Sequence, residues 1–66
     1  MEFFSEKMEI LKLINSNTKG VRINDIIDFF DYINKVRYEK EAIEELLSEL
    51  IVENKIYNKK DLWFPK

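Results

Sequence analysis

Glu41, Glu44 and Glu45, spaced i, i+3 and i+4, form the densest group of chemically active side chains in the sequence. On a helix that spacing lines carboxylates along one face. The chemistry open to them is weak cation binding or the docking of a basic partner. A hard cation wants about six to eight oxygens held by a shaped loop, and no such loop flanks these residues. Catalysis has little else to build on. The chain has no His and no Cys, no glycine-rich phosphate loop and no Ser placed beside a base; general acid–base and nucleophilic chemistry need one of these. The residues therefore point to a non-enzymatic protein with no cofactor and no metal site.

The charges are more informative than the chemistry. A formal net charge of −2 conceals a split along the chain. Residues 37–54 hold Arg37 and Lys40 against Glu39, Glu41, Glu44, Glu45, Glu49 and Glu53, a net of −4. Residues 55–66 hold Lys55, Lys59, Lys60 and Lys66 against Asp61, a net of +3. Binding to nucleic acid depends on neutralising phosphates, which an acidic segment opposes. Arg37, Tyr38, Lys59 and Lys60 are the candidate DNA-contacting residues, and any such binding is expected to be weak. Tyr57, Leu62 and Phe64, with Glu41 and Glu45, are the candidate surface for a protein partner, because an apolar centre with a charged rim suits one. The same split would let the basic end of one copy meet the acidic helix of another, so a monomer or weak homodimer is expected.

These side chains must be held by a small fold. A chain of 66 residues is one domain, and at that size only about 60% of the unfolded surface is buried. Apolar periodicity places helix 1 over 2–15, with Phe4, Met8 and Leu11 on one face, Phe3, Ile10 and Ile14 widening it, and Leu13 exposed on the far side. Val21-Arg22-Ile23 reads as a short strand over 21–23. Asn24 is the expected N-cap of helix 2 over 25–34, which carries Ile26, Ile27, Phe30 and Ile33. A turn follows, with Val36 as its buried plug. Helix 3 over 38–53 buries Ile43, Leu46, Leu47 and Leu50, flanked by Ala42 and Ile51, and directs Tyr38, Glu41, Glu44, Glu45, Ser48 and Glu49 outward. Asn54 suits the left-handed residue that ends a helix. A hairpin over 55–64 turns at Asn58–Asp61, placing Ile56 beside Trp63 on the core face and Tyr57, Leu62 and Phe64 on the other.

Three helices, a short first strand and a C-terminal β-hairpin give an α+β, mainly α fold, the winged helix-turn-helix with the hairpin as its wing. Glu6-Lys7-Met8 opening helix 1, the stretch from Ile23 to Ile33, and Ile43…Leu47…Leu50…Asn54-Lys55-Ile56-Tyr57 resemble the winged helix that closes archaeal minichromosome-maintenance helicases. A fainter likeness is to the winged helix ending the small middle subunit of eukaryotic replication protein A, which docks partner proteins. That family commonly has Gly where this chain has Asn54, and a Pro-containing wing where this chain has Asn58-Lys59-Lys60-Asp61. The resemblance implies a recognition module of DNA replication, docking a protein partner of replication or transcription machinery. The alternative is a small DNA-binding transcriptional regulator. Apolar runs far shorter than the roughly 20 residues of a membrane span and the absence of Cys fit a cytoplasmic setting with no membrane partner.

Overall fold

The computed structural model describes the backbone from Glu2 to Lys66 and the side chains from Ser5 onward. Its elements run α1 (Glu2–Asn15), α2 (Ile23–Asn34), α3 (Lys40–Val52), β1 (Ile56–Lys59) and β2 (Leu62–Pro65). The three helices enclose one core, and the two antiparallel strands form a C-terminal hairpin across it. This is a mainly helical α+β arrangement with the layout of a winged helix.

The core is aliphatic with one aromatic. Ile10, Ile14, Val21, Ile26, Ile27, Phe30, Ile43, Leu46, Leu47, Leu50 and Ile56 are all buried. A fully buried side chain of this size contributes about 1.5–3 kcal/mol relative to an exposed one, so α3, with four of them, is the keystone. Strong helix formers fill its sequence. It ends where Asn54 turns left-handed at φ 65°. There the Lys55 N–H donates to the Leu50 carbonyl at 3.0 Å and the Asn54 N–H to the Ile51 carbonyl at 2.9 Å. That Schellman pair satisfies carbonyls the helix would otherwise strand, and it aims the chain into β1.

Several expectations need correcting. Helix α2 begins at Ile23, with Arg22 as N-cap. The Asp25 carboxylate accepts the Arg22 N–H at 3.1 Å, the reciprocal half of a capping box. Starting there lets half-buried Ile23 join the i, i+3, i+4, i+7 row of Ile26, Ile27 and Phe30, and that packing outweighs a cap at Asn24. Only Val21 of the expected strand 21–23 pairs, exchanging two 2.9 Å hydrogen bonds with Trp63. Ile33 and Val36 are exposed. Tyr38 plugs the turn instead, its ring edge-on to Phe30 at 5.1 Å, which leaves it outside the helix, with Glu39 extended as N-cap and α3 starting at Lys40. On α1 the buried residues are Ile10 and Ile14, Leu11 and Leu13 pack partly against them, and Met8 is exposed. The inward face is thus turned toward Ile10, and Leu13 is not on the solvent side. Phe3 and Phe4 lie outside the residues whose side chains are described.

The hairpin pairs Tyr57 with Phe64, Asn58 with Trp63, and Lys59 with Leu62. The expected four-residue turn is therefore a two-residue one, Lys60 and Asp61, both at positive φ (53° and 64°). Pro65, not Trp63, stands opposite Ile56. Strand β1 runs two residues further toward the turn than expected, while β2 still starts at Leu62. This register shift of two leaves Ile56, Tyr57, Leu62, Trp63 and Phe64 on their expected faces because alternation has period two. Ile56 is buried and Trp63 packs partly on the core.

Candidate interaction surface

The outer face of the hairpin carries Tyr57, Lys59, Leu62 and Phe64 by strand alternation. The Tyr57 and Phe64 rings stack with centroids 5.1 Å apart and planes inclined by 19°. Val21 pairs with Trp63, so Gly20 falls beside Phe64 across the strand. A Cβ on Gly20 would sit 2.9 Å from Phe64 Cε1 and 3.2 Å from Leu62 Cβ. Phe64 thus covers the bare Gly20 backbone on one side and Tyr57 covers Phe64 on the other. Of the three residues expected to lie outside, Tyr57 is exposed, and Leu62 and Phe64 are half-buried.

Glu41, Glu44, Glu45, Ser48 and Glu49 are exposed on α3. Tyr38, expected among them, points inward: its hydroxyl donates to Glu6 Oε2 at 2.7 Å. Because that bond needs the phenolic proton, it raises the Tyr38 pKa above the ordinary value, and burial adds to the effect. Lys7 on α1 bridges to Glu53 at 2.6 Å and Glu49 at 3.2 Å. The hydrogen bond to Glu53, then that to Glu49, raises the Lys7 pKa, and the Lys7 bond lowers that of Glu53. The C-terminal end of the acidic face is therefore neutralised from within. Among the described residues no ion pair reaches Glu41, Glu44 or Glu45. No group of three or more acidic side chains among those residues converges to hold a metal ion.

Sequence reasoning passed over Val52. It is 84% exposed, an apolar spot bordered by Glu45, Ser48, Glu49 and Glu53. Nine residues beyond Ile43, it lies diametrically opposite the core on the helical wheel, so the periodicity carried the signal.

The four candidate DNA-contacting residues do not form one surface. Arg37 lies against α2, 3.2 Å from Asp28 and 3.1 Å from Asp31. Tyr38 is engaged with Glu6, and Lys59 shares the outer wing face with Leu62. Lys60 lines a cleft of about 400 Å³ with Arg22 and Asn24 at the start of α2 and Lys40 at the start of α3. Arg22 and Lys40 were not singled out from the sequence, because 18 positions separate them and only the fold brings them together. No helix among the described residues is long and apolar enough to cross a membrane. Compared with family models, curated proteins and solved structures, the chain matches none.

Proposed function

We propose that this chain is a non-enzymatic winged-helix recognition module that docks a protein partner of nucleic-acid machinery through Tyr57 on the wing and the glutamates of α3. One observation carries the reading. The helix that a DNA-binding winged helix would lay in the major groove presents Glu41, Glu44 and Glu45 to solvent, and among the described residues none of the three is held in an ion pair. Those carboxylates would meet phosphates with like charge, whereas a basic or amphipathic protein segment would neutralise them. Tyr57 supplies the rigid aromatic anchor that protein interfaces favour. A role in DNA replication is supported by the resemblance of α3 and β1 to the replicative-helicase winged helix. A DNA-binding regulator using Arg37, Tyr38, Lys59 and Lys60 has less support, since Arg37 and Tyr38 are engaged within the fold.

The test is affinity capture with matched variants. A partner retained by the wild type and by a Lys12→Gln control should be lost with Tyr57→Ser and with Glu41→Lys/Glu45→Lys, while all four proteins melt alike. Equal capture by the wild type and both surface variants would remove the reading.

A further inference from the structure

Arg22, Lys40 and Lys60 come from three separate elements, the residue before α2, the first residue of α3 and the turn of the hairpin, yet they line one cleft beside Asn24. Glu44 and Asp61 line it too. Among the described residues, none of the three cations forms an ion pair with either carboxylate. Three cations thus share the cleft with two carboxylates, a net of +1, and an anion seated among the cations would relieve their mutual repulsion. The two-residue hairpin turn holds Lys60 at φ 53° and Asp61 at φ 64°, the positive φ that such a turn requires, and from that turn Lys60 lines the cleft.

We infer that this cleft is a pocket for one phosphate group carried by the partner, a phosphorylated side chain flanked by basic residues. The proposal rests on reading the chain as a protein-docking module and names the chemistry of its ligand. Arg22 offers a planar fork to two phosphate oxygens, Lys40 and Lys60 offer point charges, and the Asn24 amide offers a further donor. Glu44 lines the cleft and, with Glu41 and Glu45, continues an acidic ridge along α3. That ridge opposes an extended polyanion but favours a single phosphate with cationic neighbours. Duplex DNA is the polyanion it disfavours.

The test follows backbone amides of the whole chain by NMR. Phenyl phosphate should shift Ile23, Asn24, Lys60 and Asp61 saturably, leaving Lys12 and Lys19 unmoved. A peptide with one phosphoserine between arginines should bind at least about tenfold more tightly than its unphosphorylated form. Lys40→Gln/Lys60→Gln should abolish that preference while the rest of the spectrum is retained. Equal shifts at Lys12 and Lys19, equal binding of the two peptides, or the same amides shifting with short duplex DNA at physiological salt would each overturn the pocket. If the peptides bind equally while Tyr57→Ser still releases a captured partner, the docking surface stands and the pocket falls. If the phosphopeptide preference holds while Tyr57→Ser changes no capture, the pocket stands and the wing surface falls.

Discussion

Gly20 shows what a single missing Cβ does in this protein. Its φ of 105° lies in a region that L side chains rarely adopt, and the Phe64 ring occupies the space a Cβ would need. Gly20→Ala adds backbone strain to an overpacked contact and should cost about 2–4 kcal/mol, read from urea unfolding. A loss below about 0.5 kcal/mol would mean that Phe64 does not rest on this turn. Tyr38 works through its hydroxyl. Removing it in Tyr38→Phe deletes the bond to Glu6 and should cost about 1 kcal/mol at neutral pH. A tyrosine whose folded pKa is raised gives stability that is fully present below its ordinary pKa near 10, and that stability is lost as pH rises through the folded value. The wild type should therefore destabilise more steeply than Tyr38→Phe on the alkaline side, and parallel curves would show that the hydroxyl is not held by Glu6. Neither role was legible in the sequence. Gly20 lies between the helix expected over 2–15 and the strand expected over 21–23, where no periodicity marks a partner for it, and Tyr38 lies on the outward side of a wheel that presumes residue 38 is already helical.

At the level of elements, α3 was the most legible part of the chain. Its four core residues fall within one narrow arc, and its termination at Asn54 follows from the need for a left-handed residue before β1. Leu47, 1% exposed, should cost about 2–5 kcal/mol when cut to Ala. A variant melting within a degree or two of the parent would mean that α3 packs on another face. Helix α1 was less legible because apolar residues surround most of it. Tertiary packing chose the arc around Ile10 and Ile14, and Lys7 beside that arc reaches α3. Glu53, with its pKa lowered by Lys7, contributes stability present above the ordinary carboxylate value of 4.5 and lost as pH falls through the folded one. Lys7→Met should flatten this acid limb, and an unchanged limb would remove the α1–α3 bridge. The hairpin faces were legible from alternation, but the turn length was not, because Lys60-Asp61 lacks the Asn-Gly signature of its geometry. Asp61→Gly should relieve the positive φ and raise stability by about 1 kcal/mol. A destabilised variant would mean that the Asp61 side chain supports the turn.

Over the whole molecule, the charge split read from the sequence survives folding but is redistributed. Glu49 and Glu53 are tied to Lys7, and Arg37 is tied to Asp28 and Asp31. The acidic surface is thereby concentrated at Glu41, Glu44 and Glu45, and one basic centre gathers at Arg22, Lys40 and Lys60. Composition showed the sum of the charges but not their neighbours. The most direct measurement is a residue-resolved NMR titration of the chain with generic duplex DNA, first at low salt and then at physiological salt. A protein-docking module should show weak shifts confined to amides around Arg22, Lys59 and Lys60, erased at the higher salt because few phosphates are contacted. Tight binding that persists at physiological salt, with shifts running along Glu41, Glu44, Glu45 and Ser48, would show that α3 enters the groove and would contradict the protein-docking reading.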